Sequence, residues 1–389
     1  VGDVWICSGQ SNMGLNVNSS NDAKAEIANA NHTDIRLFTV AVKTALQPQP
    51  VCDGTWDLCT PTTIPGFSAA AYYFGRDLQE KLKVPIGLIH TSVGGTPAES
   101  WTSEPMLRKR LPEFNTELDA VASLRGKTDL SDAQTKIEKD TNNPSVLFNA
   151  MINPLIPFGF KGVIWYQGEN NAHSPRDGQH HLAGINGPAE YRALLRAMID
   201  DWRVRWGQGE FPFLIVQLAG FGKPADHPVD DDWAELRAAQ WDVHLKEKNV
   251  GIMTAVDIGE SGNIHPKNKQ EVGRRLSLVA LHDVYGKDFT AYGPVYKSMT
   301  IERDTIRLEF DQTDRGIKST TPKLEGFAIA GADRKFVWAD AKIEGNIVVV
   351  SSPKITHPTQ VTYAWAGFMP NTLVNSAGLP AFPFRTLGE

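Results

Sequence analysis

Basic residues are not in excess in this chain: 39 lysines and arginines stand against 45 aspartates and glutamates in 389 residues, a net charge of −6. A nucleic-acid binder draws its affinity from cations set against phosphates, so that class is set aside. Long apolar runs are missing too. "FPFLIVQLAGF" is among the longest and falls well short of the roughly 20 residues that cross a bilayer. No secretory leader is visible, and Val1 already runs into a strand, so a processed or trimmed chain is expected. Cysteine is scarce: the chain has three, too few for a zinc-type ligand set. Cys52 and Cys59 flank "DGTWDL", a spacing that predicts a disulfide across a surface loop, with Cys7 left over as a buried thiol. That pairing leans towards an oxidising, extracytoplasmic compartment. What remains, 41% hydrophobic and 22% charged, is the make-up of a globular protein with a large core.

From residue 1 to 289 short apolar runs alternate with longer periodic ones. Val4–Cys7, Ile35–Val40, Ile86–His90, Gly162–Tyr166, Phe213–Leu218 and Ile252–Val256 read as strands, several apolar throughout as in a sheet covered on both faces. Between them, "FSAAAYYFGRDLQEKL", "PAEYRALLRAMIDDWRVRW" and "NKQEVGRRLSLVALHDVYG" carry helical spacing, the second with Pro188 in its first turn. The alternation predicts an α/β fold with a mostly parallel sheet. Trp5, Trp101 and Trp165 read as core residues, not as sugar-stacking platforms. Residues 108–145 are charged and helix-prone, an exposed helical insertion. From 290 to 389 the grammar changes to short strands and tight turns, with Gly345-Asn346 placed as a hairpin turn. This region reads as a small all-β domain packed on the first.

Two motifs mislead. "GKT" at 126–128 lacks the upstream glycine of a phosphate loop, since Val121 occupies that position. His173, His180 and His181 cluster, but not at the spacing that puts two ligands on one helix face, and no metal is assigned. The ends of the strands say more. In a parallel sheet the carboxyl ends share one edge, and there the chain places "GQSNMG", "TSVGGTPAESW", "WYQGENN" and "DIGESGNIHPKNKQEVG". That edge gathers a serine, a Gly-Gly backbone, an amide-rich turn and a histidine. A serine hydroxyl is a weak nucleophile until a base takes its proton, and His265 titrates in the right range to do so for Ser11. A developing oxyanion needs fixed donors, which the Ser11 and Gly95 amides and the Asn170 side chain can supply. Ser11 is not in a G-x-S-x-G elbow, because position 13 is Met13. Gln10 reads as a residue that holds the turn, and Glu169 as either a solvated carboxylate or part of a polar network behind the site.

The blocks "GDVWICSGQSNM", "IHTSVGGTPAESW", "NAMINPLIPFGFKGVIWYQGENNA" and "IHPKNKQEVGRRL" resemble those of the SGNH hydrolases, and more closely the sialate O-acetylesterase family. The resemblance covers nearly the whole chain, with "GLPAFPFRT" near its end. It implies a three-layer sandwich, Ser11 as nucleophile, His265 as general base, and Gly95 and Asn170 at the oxyanion-hole positions with Gln167 beside them. It implies no cofactor. One position departs. Family members commonly carry an aspartate three residues before the histidine, where this chain has Gly262, followed by Asn263. The orienting role then falls to Glu260, to Asp257, or to a backbone carbonyl, the last leaving a Ser–His dyad.

The activity expected is hydrolysis of O-acetyl esters on a sugar, first of all sialic acid. Arg176 and Arg274 are the cations considered for the sialate carboxylate. The rival substrate is acetylated xylan or a similar plant polysaccharide. A rival of another class is an inactive esterase fold that binds glycans through its β-domain, against which intact Ser11, His265 and Asn170 speak.

Overall fold

The computed structural model describes residues 2–172, 187–228 and 230–386. His173, His180, His181 and Arg176 therefore lie outside the described residues.

Seven strands form the main sheet: β1 (Asp3–Gly9), β2 (His32–Thr39), β3 (Trp56–Cys59), β4 (Ile86–Ser92), β5 (Gly162–Tyr166), β6 (Phe213–Gln217) and β7 (Val250–Thr254), in the order β3-β2-β4-β1-β5-β6-β7. All run parallel except β3, which pairs antiparallel with β2 at one edge. β5, β6 and β7 are buried along their whole length. Their apolar runs follow from cover on both faces. Strand β3 escaped the sequence reading because three of its four residues, Trp56, Asp57 and Leu58, are exposed, as an edge allows. β1 lies between β4 and β5, the point from which the chain winds outward both ways. Parallel sheets leave their crevice at the carboxyl end of such a strand.

The principal helices are α1 (Ala69–Leu82), α2 (Pro188–Trp206), α3 (Asp232–Lys246) and α4 (Lys269–Val279). They pack in pairs, α1 with α4 and α2 with α3, against the sheet to make a helix–sheet–helix sandwich. Ser68 starts α1 by accepting the Ala71 amide at 3.1 Å. The same hydroxyl donates to the Met13 carbonyl at 2.6 Å. Gly273 lets α4 approach α1: a Cβ there would stand 2.4 Å from that of Tyr73. Trp5, Trp101 and Trp165 have no exposed surface, as core residues should.

The charged stretch after residue 103 folds into short helices, Glu104–Arg110, Asn115–Ala122 and Asp132–Lys139. It is less exposed than its composition suggests. Leu107, Phe114, Leu118 and Val121 reach the main core, and of the three helices only Asp132–Lys139 buries nothing. Cys52 and Cys59 are not joined; all three cysteines are free. Cys59 ends β3 with its thiol turned into the core towards the Ala30 carbonyl, while Cys52 sits on a loop before an extended run. The inference of an oxidising compartment loses its support.

Beyond Pro294 every strand pairs antiparallel. β8 (Val295–Glu302), β9 (Thr305–Asp311), β13 (Asp340–Glu344) and β14 (Ile347–Ser351) form one sheet. β11 (Phe327–Ala330), β12 (Val337–Trp338), β15 (Gln360–Tyr363) and β17 (Phe384–Arg385) form another, and β10 (Ile317–Ser319) pairs with β16 (Leu373–Asn375). Gly345, at φ +64°, and Asn346 make the two-residue turn between β13 and β14. Ile306, Leu308, Ile329, Val348, Val350 and Tyr363 centre a second core.

Arg237 of α3 fastens this region to the first. Its guanidinium is fully buried and donates to the carbonyls of Leu218, Ala364, Ala366 and Gly367 at 2.7–3.3 Å. Trp241 packs on Phe382 nearby, ring centroids 4.6 Å apart. Arg237→Met keeps the bulk and strands the Leu218, Ala364 and Ala366 carbonyls, while Gly367 keeps the Phe221 amide, so it is expected to cost about 3 kcal/mol or more in a denaturant titration. A loss under about 1 kcal/mol would show that the guanidinium does not fasten the two regions.

Candidate active site

The turn after β1 depends on Gly9. Its φ is +140°, and a Cβ there would stand 2.1 Å from the Tyr166 carbonyl oxygen, so no other residue fits without a shift. The Gln10 amide donates to that same carbonyl at 3.0 Å. The chain then makes one helical turn, Ser11–Gly14, with the Met13 and Gly14 amides returning to the Gln10 carbonyl. The buried Gln10 side chain accepts the Gly168 and Asn170 amides at 3.4 and 3.3 Å, tying the end of β1 to the end of β5.

Ser11 sits first in the helical turn, partly exposed, and its Oγ lies 2.8 Å from Nε2 of His265. These residues are 254 positions apart in sequence. Burial and the charge of Lys269 hold the His265 imidazole below its ordinary pKa, so it stays neutral further into acid.

The segment carrying His265 is cross-braced. Asn263 accepts the His265 amide at 3.0 Å and donates to the His265 carbonyl at 2.9 Å and to Glu260 at 3.1 Å. Glu260 also accepts the Lys267 amide at 2.9 Å, and this bond is the main reason its pKa is held low. Neither carboxylate proposed to orient the imidazole reaches it. Glu260 is engaged with the backbone of its own turn. Asp257 is turned away by Arg275, whose two terminal nitrogens grip it at 2.6 and 2.8 Å. Nδ1 of His265 has no hydrogen-bond partner among the described residues.

Gly95 and Asn170 come together: the Asn170 side-chain amide donates to the Gly95 carbonyl at 2.6 Å, with a second, longer contact of 3.4 Å to Asn142. Gly94 passes beside the serine, where a Cβ would stand 3.4 Å from that of Ser11. The backbone amides of Ser11 and Gly95 have no acceptor among the described residues. Gln167 is not part of this surface. It is fully buried, donates to Asn171 at 2.7 Å and Thr96 at 3.2 Å, and accepts from Tyr191 at 3.0 Å, so both ends of its amide are engaged inside the core. Arg274 is paired bidentately with Glu271 at 2.7 and 2.8 Å.

Two residues beneath the pair were not singled out by sequence. Asn12 donates to Glu169 at 2.5 Å and to the Ile264 carbonyl at 2.9 Å. Lys269, buried at the start of α4, donates to Asn12 Oδ1 at 2.7 Å and to the Pro266 carbonyl at 2.8 Å. Burial pushes the lysine pKa down to about 7, against the pull of Glu169 and Glu260. Glu169 is itself buried, which raises its pKa, and so belongs to the network behind the site. The signal in the sequence was adjacency: Asn12 follows Ser11, and Lys269 lies four residues after His265. A second histidine–serine contact, His90 to Ser92 at 2.7 Å, is half-buried, and burial drives the imidazole down to about 4.

Residues 1–281 match the family described as carbohydrate esterase, sialic acid-specific acetylesterase. The rat sialate O-acetylesterase is 31% identical over 349 residues, which cover 80% of this chain and 62% of that protein. The human sialate O-acetylesterase is 34% identical over 402 residues, covering 94% of this chain and 70% of the human one. This chain thus spans less than two thirds of the rat relative's length. A carbohydrate acetylesterase from Xanthomonas citri, known from its crystal structure, superposes with a TM-score of 0.85 at 34% identity, over all of this chain and 81% of the other.

The contact between Ser11 and His265 makes a chemical prediction. A fluorophosphonate probe is expected to label the chain on Ser11, with labelling lost in His265→Ala and kept in Asp257→Asn. Intact-mass spectrometry reads the adduct, and labelling that survives His265→Ala overturns the assignment of the base.

Proposed function

The chain belongs to the carbohydrate esterase family of sialic acid-specific acetylesterases, and from that premise we propose that it hydrolyses O-acetyl esters of sugars, with O-acetylated sialic acid as substrate. The observation that carries this reading is the 2.8 Å approach of Ser11 Oγ to His265 Nε2. That is hydrogen-bond distance between a nucleophile and its base.

In the mechanism, His265 Nε2 takes the Ser11 proton as Oγ bonds to the acetyl carbonyl carbon. The carbonyl oxygen becomes an oxyanion facing the Ser11 and Gly95 amides, which have no other acceptor among the described residues. Asn170 joins them by exchanging its longer contact, to Asn142, for the oxyanion. As the tetrahedral centre collapses, the carbon–oxygen bond to the sugar breaks and His265 returns the proton to the departing alkoxide. Water, deprotonated by the same imidazole, then opens the acetyl-serine, giving acetate and regenerating Ser11. No step in this scheme calls on a metal or an organic cofactor. Arg274 is held by Glu271, so sialate recognition by that side chain requires its release.

The test is acetate release from O-acetylated sialic acid and from acetylated xylan, side by side. Ser11→Ala is expected to lower kcat by about 10⁴-fold or more. Preference for sialate supports the substrate. Preference for xylan keeps the chemistry and overturns the substrate, and an undiminished Ser11→Ala overturns the nucleophile.

The pH profile adds a second check. A general base must be unprotonated, and His265 is held below the ordinary imidazole value. The acid limb of kcat/KM is therefore expected below about pH 6.5. A limb above that value contradicts the base described here.

A further inference from the structure

Among the described residues no carboxylate meets Nδ1 of His265, yet its Nε2 meets Ser11 at hydrogen-bond distance. Some other constraint fixes that meeting, and it lies in the backbone on either side of the histidine. The carbonyl of Ile264 is held by Asn12, and the carbonyl of Pro266 is held by Lys269. The two holders are themselves joined, Lys269 Nζ to Asn12 Oδ1 at 2.7 Å. Asn12 is the residue after the nucleophile. From these bonds we infer that Lys269, acting through Asn12, is the positioning residue of the Ser11–His265 pair, gripping the backbone on both sides of the imidazole in place of an orienting carboxylate. This inference rests on the esterase reading above.

The side chain is costly to keep where it is. Lys269 has no exposed surface, and it stands at the amino end of α4, where the helix dipole opposes a cation. A methionine would fill the same space. What the ammonium adds is two directed donors and a position 5.2 Å from the centre of the Tyr166 ring.

Its charge leaves a second signature. The groups facing Lys269 are Asn12 and the Pro266 carbonyl by hydrogen bond, the Tyr166 ring by its face, and Glu169 and Glu260 by charge. Among the described residues, His265 is faced by Ser11 from the nucleophile turn, Lys269 from α4, and Asn263 on its own segment. Burial lowers the imidazole pKa most, and the Lys269 charge lowers it further. With its own pKa pushed to about 7, above the lowered imidazole, Lys269 still carries most of its charge where His265 titrates. Removing the cation while keeping the burial, as a methionine of similar bulk does, must therefore move the acid limb to higher pH.

The experiment compares wild type, Lys269→Met and Lys269→Gln on an O-acetyl ester, with far-UV circular dichroism and thermal melting as folding controls. Lys269→Met is expected to lower kcat by about 100-fold while KM changes by less than about threefold, because a slight misplacement of the base is felt in the chemical step. Its acid limb is expected about half a pH unit higher. Lys269→Gln keeps an amide donor without the charge. It is expected to recover about tenfold of the lost kcat and to show the same shift of the limb. Should Lys269→Met fail to fold, Lys269→Gln alone decides through its limb. An unmoved limb in a folded variant, or kcat falling only in step with KM and melting temperature, overturns the inference. Undiminished activity in Ser11→Ala overturns the esterase reading instead, so the two failures are distinct.

Discussion

A lysine ammonium buried against an asparagine amide holds the two halves of this site together. β1 and β7 lie three inter-strand steps apart in the sheet. At about 4.8 Å a step, a residue leaving the end of β7 starts some 14 Å from Ser11. The chain closes that gap over residues 255–268, which form little regular structure and cannot set a distance to a few tenths of an ångström by themselves. The distance is set by α4, which follows them and packs on α1 through Gly273, where the two helices touch almost backbone to backbone. Lys269 begins α4, so this helix contact delivers the ammonium to Asn12. A small residue one turn along the helix thereby governs a contact in the site.

The network is not uniformly satisfied. Asn12 uses its oxygen towards Lys269 and its nitrogen towards both Glu169 and Ile264, leaving no ambiguity about which way the amide points. Glu169 has one oxygen bonded to Asn12 and the other, Oε2, without a partner among the described residues. The Tyr166 hydroxyl is likewise buried and unpartnered. A carboxyl in such surroundings tends to keep its proton, which is the direction burial drives Glu169. Buried unpaired polar atoms are costly, and proteins concentrate them where geometry matters more than stability. Gln167 shows the satisfied alternative, its amide bonded to Thr96, Asn171 and Tyr191.

Much of this was legible from one dimension. Strands buried on both faces announce themselves as apolar runs, and helices by their period, so the sheet and its principal helices were readable. Asking what stands at each carboxyl end pointed to Ser11, Gly95, Asn170 and His265, and the structure brings Ser11 to His265 and Asn170 to Gly95. The misreadings have a common cause. Asp257 and Glu260 are close to His265 in sequence, but nothing local reveals that Arg275 or the Lys267 amide has already claimed them. Gln167 is two residues from Glu169 in the same turn, yet faces the core. Cys52 and Cys59 have a spacing that permits a bridge and an extended run between them that does not make one. Asn12 and Lys269 were visible in the motifs, but their bond spans 257 positions and leaves no periodic trace.

Among the described residues the charge acting on His265 is a cation, Lys269, and not an anion, and for the proposed base the consequences differ. A carboxylate on Nδ1 raises the imidazole pKa and favours the imidazolium formed as the serine attacks. Lys269 acts the other way, keeping His265 neutral and ready at lower pH but opposing the charge it must acquire. The opposition is conditional. With a pKa pushed to about 7, Lys269 loses its proton at the alkaline side of neutrality. A neutral amine retains two N–H donors, enough for both Asn12 and the Pro266 carbonyl. Grip and charge thus separate: above pH 7 the brace persists while the repulsion fades, and the same imidazole then gains a proton at less cost. Geometry is kept by hydrogen bonds that do not titrate away, and electrostatics is left to vary with pH.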